Sequence, residues 1–180
     1  MANIMTTYVK ICNLNEVTFN KVKELFGKQT EESSEVLVFD HFNRLFGTNF
    51  DLEIDRQWMN KNIGSKWIRI EFGEYDLQVD LIIESAWSVP VEYISALVSF
   101  LNIYDLDIMA YGTYEDEGYS PVGAFVFAYG YDDIEDYDEV DSDLMWEDDD
   151  YNERIYDELY SFRDSLYESY LQVKNEALSN

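Results

Sequence analysis

The chain has 180 residues, 47% of them apolar and 17% aromatic, enough hydrophobic material for one domain with a buried core and too much for a disordered segment. Thirty-eight Asp and Glu against 12 Lys and Arg leave a formal net charge of −26. Such a charge repels polyanions, so neither direct nucleic-acid binding nor attachment to an anionic membrane is expected, and a basic protein is the favoured partner.

Residues Thr6 to Leu14 are predicted as a first strand, carried by Tyr8, Val9 and Ile11. Asn15 suits a helix N-cap, Val17, Val22, Leu25 and Phe26 follow at near-helical spacing, and Gly27 ends the run. Residues 27–35 form a polar stretch predicted as a loop. Residues 36–64 are apolar in their first half but keep no clear period, and no element is assigned there.

From Lys66 the pattern sharpens. Trp67, Arg69 and Glu71 alternate with Ile68, Ile70 and Phe72, and Leu77, Val79, Leu81 and Ile83 repeat the period of two after a turn placed at Gly73 to Asp76. This predicts a hairpin. Ser88 is expected to cap a helix with Pro90 in its first turn and a face of Val91, Ile94, Leu97, Val98 and Leu101. A strand through LDIMAYGTY, a turn at EDEGYSP and a strand through VGAFVFAYGY complete an α+β domain over residues 1–131, with a ferredoxin-like antiparallel sheet and helices on one face. Residues 132–180 then read as an acidic segment and a long amphipathic helix from Asp150 to Ser179. Ile155, Leu159, Phe162, Leu166, Tyr170 and Val173 form its stripe, flanked by Tyr156, Tyr160 and Tyr167. The stripe is expected to pack on the same domain, with a homodimer as the alternative.

The segment SAWSVP at Ser85 to Pro90, the helix that follows it, and AYGTYEDEGYSPVGAFVF at Ala110 to Phe127 resemble the YubB-type ferredoxin-like domain, a family of small plasmid and phage proteins. NIGSKW at Asn62 to Trp67 is similar to the part of that family preceding its second strand. The resemblance spans roughly residues 62–130. It implies the fold and a plasmid or phage origin, and it carries over no catalytic residue.

Little in the chain points to chemistry. Cys12 is the only cysteine and reads as a buried thiol, so no internal disulfide is expected. His41 is the only histidine; a packed residue is the expected reading, and a Cys12–His41 dyad the alternative. One Cys and one His exclude a zinc pattern, no phosphate-loop spacing exists, and neither Glu115, Asp116 and Glu117 nor Asp141 with Asp143 follows a calcium-loop pattern. No cofactor is expected and an enzyme is the least favoured class. The beginning of the chain lacks a basic segment followed by a long apolar run, and VEYISALVSFLNIY is too short to span a bilayer, so a cytoplasmic protein is expected.

The acids themselves form the candidate site. Between Arg69 and Arg154 lie 24 Asp and Glu and no Lys or Arg. An acidic run is ordinarily a solvated face. Here the acids interleave with Tyr131, Tyr137, Trp146 and Tyr151 and continue through predicted strands and a helix, so many are expected at fixed positions. Carboxylates about 6 to 7 Å apart on a strand or 5 to 6 Å apart on a helix approximate the spacing of phosphates on DNA. The expected function is therefore an acidic DNA-mimic inhibitor occupying the DNA channel of a basic host defence protein, such as a restriction enzyme, nuclease or CRISPR complex. The alternative is an acidic adaptor that binds a basic partner without imitating DNA. The expected contacts are Glu115, Asp116, Glu117, Asp132, Asp133, Glu135, Asp136, Asp138, Glu139, Asp141, Asp143, Glu147, Asp148, Asp149 and Asp150.

Overall fold

A computed structural model describes residues 3–27, 35–51, 53–138 and 140–179. The predicted polar loop, apart from its ends, lies outside the described residues, as does Glu139. The elements in chain order are β1 (Ile4–Cys12), α1 (Glu16–Phe26), α2 (Val38–Phe46), α3 (Arg56–Asn62), β2 (Ile68–Tyr75), β3 (Gln78–Ala86), α4 (Val91–Asn102), β4 (Met109–Asp116), β5 (Val122–Ala128), β6 (Tyr131–Asp136), α5 (Ser142–Glu147) and α6 (Asp149–Ser179).

All strand pairings are antiparallel, in the order β2-β3-β1-β4-β5-β6. The first four positions have the ferredoxin-like arrangement, because β1 lies between β3 and β4, α1 to α3 connect β1 to β2 past β3, and α4 connects β3 to β4 past β1. β5 and β6 extend the sheet as a meander. The strand predicted to begin at Thr6 begins two residues earlier, and β6 takes up the first acids of what reads in sequence as a separate segment.

Alternation assigns the two faces. Met5, Val9 and Ile11 of β1, Ile70 and Phe72 of β2, and Val79, Leu81 and Ile83 of β3 are buried on one side against Val22, Leu25, Phe26, Phe42, Ile94 and Leu97 of α1, α2 and α4. The opposite side carries a smaller cluster in which Met109, Ala124, Val126 and Ala128 meet Leu166 and Tyr170 of α6. β5 is covered on both faces, and all seven of its residues are buried. That is why VGAFVFA is a continuous apolar run without alternation. Ile155 and Leu159 of the predicted stripe are buried too, whereas Val173 near its end stays half exposed. The stripe is used within the chain.

Local chemistry explains several boundaries. Asn15 accepts from the backbone N–H groups of Val17 and Thr18, and the Thr18 hydroxyl accepts from that of Asn15, a reciprocal cap. Asp55 caps α3 through Gln57 and Trp58. The β2–β3 turn is shorter than predicted: β2 runs on through Tyr75, and Asp76 and Leu77, at φ 44° and 62°, form a two-residue reversal whose hand matches the strand twist. Ser88 does not cap α4. Its hydroxyl donates to the Gly64 carbonyl at 2.7 Å, and the cap position belongs to Pro90. The predicted EDEGYSP turn is likewise shorter, since Glu115 and Asp116 still belong to β4.

His41 is fully buried on α2. Its Nδ1 lies 3.2 Å from the Leu25 carbonyl and its Nε2 2.7 Å from the Tyr93 hydroxyl. A carbonyl only accepts, so Nδ1 carries the proton and Nε2 accepts from Tyr93. Both nitrogens of a neutral imidazole are thereby satisfied. Cys12 packs with the cluster beneath α6, on the other face of the sheet, so no Cys12–His41 dyad exists. The thiol is half-buried rather than fully buried, and desolvation pushes its pKa up. Among the described residues, no helix is long and apolar enough to cross a membrane.

Candidate acidic interface

The acids predicted as contacts fall into two kinds, those that hold local structure and those that face water. β6 shows both. Its alternation sends Tyr131, Asp133 and Glu135 toward the α6 side and Asp132, Ile134 and Asp136 toward the α4 side. The Tyr131 hydroxyl donates to Asp133 at 3.1 Å, and the buried Tyr114 donates to Asp136 at 2.6 Å. Asp132 and Glu135 are exposed. Partial desolvation raises the pKa of the Asp132 carboxyl from its ordinary value.

Asp116 departs furthest from the expectation. It is buried, its carboxylate accepts from the Gly118 backbone N–H at 2.8 Å, and its carbonyl accepts from that of Tyr119. It shapes the β4–β5 turn and is not available as a contact; Glu117 beside it is exposed. Glu115 is half-buried under α6, where Tyr8 and Tyr156 donate their hydroxyls to it at 3.2 and 2.7 Å. Burial and the Glu115 charge push the Tyr8 pKa up to about 12, so both phenols stay protonated and hold the carboxylate in place.

Further along, Asp141 accepts from the backbone N–H groups of Asp143 and Leu144, capping α5, and Asp148 accepts from those of Asp150 and Tyr151 at the start of α6. These two acids therefore anchor helix ends while remaining exposed. Asp138, Asp143, Glu147, Asp149 and Asp150 are exposed as well. Two phenols pin the segment: the Tyr151 hydroxyl oxygen accepts from the Asp141 backbone N–H at 2.8 Å, and Tyr137 donates its hydroxyl to Glu158 at 2.8 Å. The Asp141 cap makes a measurable prediction. Asp141→Ala is expected to lower unfolding stability by about 1 kcal/mol in a denaturant titration, the usual effect of a lost cap, while Asp138→Ala, which removes no cap, lowers it little if at all.

The array continues where sequence reading stopped. Asp150, Glu153, Asp157, Asp164 and Glu168 step by three, four, seven and four along α6 and are all exposed. Helical spacing of the acids, read the same way as the apolar stripe, is the signal that marks them. At 1.5 Å per residue this row extends about 27 Å. From Asp132 to Glu168 there are 17 acids and two arginines. Those arginines are engaged at 2.8 Å with Glu158 and 2.7 Å with Asp164. Among the described residues, no acid from Glu115 to Glu153 takes part in an ion pair. Nor does any group of three or more candidate ligand side chains converge to hold a metal ion.

Apolar groups stand within this array. Trp146 of α5 is 68% exposed and packs edge-on against Tyr119 at 5.1 Å, and Leu144 is also exposed. The arrangement offers a rigid, densely negative edge with one projecting indole. Set against known family models, curated proteins and solved structures, the chain matches none of them.

Proposed function

We propose that this protein inhibits a DNA-binding protein by presenting its β6–α5–α6 edge in place of the DNA backbone. The observation that carries the reading is the fixed placement, on a strand, two helices and their caps, of exposed carboxylates without ion-pair partners among the described residues. A duplex carries one charge per about 1.7 Å of axis, so the α6 row of about 27 Å spans the axial length of about 16 phosphates with five acids of its own, and the acids of β6 and α5 beside it bring the charge density nearer to that of a duplex. A channel built for DNA lines itself with Lys and Arg, and fixed carboxylates meet them without first having to be ordered. Individual contacts are worth little, so affinity accumulates over many of them.

Affinity capture from a bacterial lysate at low salt, eluted in parallel with salt and with duplex DNA, tests the proposal. The expected result is a DNA-binding protein released by duplex DNA. A partner that resists DNA, and is lost when Trp146 is changed to Ser, would replace the mimic with an adaptor that docks through the exposed indole.

A further inference from the structure

We infer that the open half of the sheet, beside α6, is a homodimer interface. It stands apart from the partner reading, because it uses a different surface and a different balance of forces.

α6 covers the β4–β5 half of its face of the sheet, and among the described residues no helix packs over the same face of β2, β3 and β1. Three strands at about 4.8 Å spacing and eight residues at about 3.3 Å rise make this open area about 14 by 27 Å, wide enough to seat a partner surface. Tyr8 and Ile82 are cross-strand neighbours at its centre, each 40% exposed, and Tyr160 rises beside them from α6. Together with Thr113 they line a groove of about 470 Å³ between sheet and helix.

Charge identifies the occupant. A twofold interface brings one patch against itself, so a patch of a single sign repels its own copy. The β6–α5–α6 edge is disqualified on that ground. The open half-face carries both signs around its apolar centre: Lys10 beside Asp80 across the β1–β3 pair, Arg163 on the groove, paired with Asp164, and Arg69 on β2, paired with Glu35, Glu71 and Glu84. Arg163 is held between the Tyr111 and Tyr160 rings at 5.4 and 5.2 Å, which fixes a cation at the groove wall. Lys10 has no ion-pair partner among the described residues. In a chain of net charge −26, cations grouped on an apolar patch with acids alongside are complementary to the same patch on a second copy.

The salt response separates this association from binding to a basic partner. Two copies at −26 repel at long range, and salt screens that repulsion, so the dimer tightens as salt rises, whereas a contact with a basic channel weakens. The test is sedimentation equilibrium of the full chain over about 5 to 200 μM at about 50 and 500 mM NaCl, a range that reports micromolar dissociation constants. The wild type is expected to approach twice the chain mass, more completely at high salt. Ile82→Lys and Tyr160→Lys are each expected to weaken the dimer at least about tenfold, and Glu147→Gln on the acidic edge to leave it intact. Thermal melting checks that the variants fold; should Ile82→Lys fail, Tyr160→Lys on the helix surface decides alone. A monomer throughout the high-salt series overturns the proposal, as does a dimer that both lysine variants leave unchanged.

Discussion

Changing Glu117, Asp132, Glu135, Asp138, Asp143, Glu147, Asp149 and Asp150 together to Gln or Asn is expected to weaken binding to the captured DNA-binding protein by about a hundredfold. All eight are exposed, and the two helix-capping acids and the buried turn residue Asp116 are left in place, so the fold keeps its anchors. Each exposed charge contact is worth about a factor of two, and eight such factors multiply to a few hundredfold if independent. Any single change is therefore expected to stay within about threefold, and the salt dependence of the eightfold variant to become markedly shallower. Competition titrations against duplex DNA at two salt concentrations read both quantities. One substitution that alone abolishes binding, or an eightfold variant that binds as before, would remove the distributed-charge reading. Neutralising the edge also lowers self-repulsion, so the variant is expected to be at least as stable as the parent, which makes lost binding hard to attribute to unfolding.

The second large effect is on stability, and it comes from the core. Burial lowers the His41 pKa from 6.5 to about 4, more than the Leu25 carbonyl raises it. In the unfolded chain the imidazole takes up a proton below about pH 6.5, whereas in the folded protein it stays neutral until about pH 4. The unfolded state thus binds more protons across this window. The contribution of His41 to stability is fully present above pH 6.5 and is lost as pH falls toward 4, by about 1.4 kcal/mol per pH unit and about 3 kcal/mol in all. Protonation of the carboxylates relieves repulsion and acts in the opposite sense, but mainly below about pH 5. Denaturant titrations between pH 6.5 and 5 are therefore expected to show the His41 slope. His41→Gln should be less stable at neutral pH and lack that slope. An unchanged slope in the variant would show that another group is responsible.

The two effects rest on opposite treatments of polar groups. His41 and Tyr93 satisfy each other in a dry core, and the imidazole is kept neutral at neutral pH. The edge acids face water or accept hydrogen bonds from phenols and backbone N–H groups. A surface of this kind works against compactness, and the two-sided packing of the sheet is what opposes it.

Where the sequence carried a strong local signal, it determined the structure. The period of two in residues 67–72 and 77–83 became the β2–β3 hairpin, Asn15 and Gly27 bounded α1, and the three-and-four spacing from Ile155 to Tyr170 became the buried stripe of α6. Composition alone determined the net charge. α2 and α3 went unassigned because both are short and α2 has no side-chain cap, although Val38, Phe42, Leu45 and Phe46 do recur at helical spacing on the core face of α2, where Phe42 and Phe46 lie 5.9 and 5.1 Å from Trp58 of α3. The hairpin turn was misplaced because Leu77 adopts a positive φ that β-turn chemistry ordinarily assigns to Gly or Asn. Only the tertiary structure decided which acids are caps, which are turn residues and which face water, since a carboxylate's role depends on the N–H or O–H groups that folding brings to it. It alone also placed α6 over half of the sheet face and left the other half open, because helix docking is fixed by the shape of both surfaces and is not encoded in the period of either one.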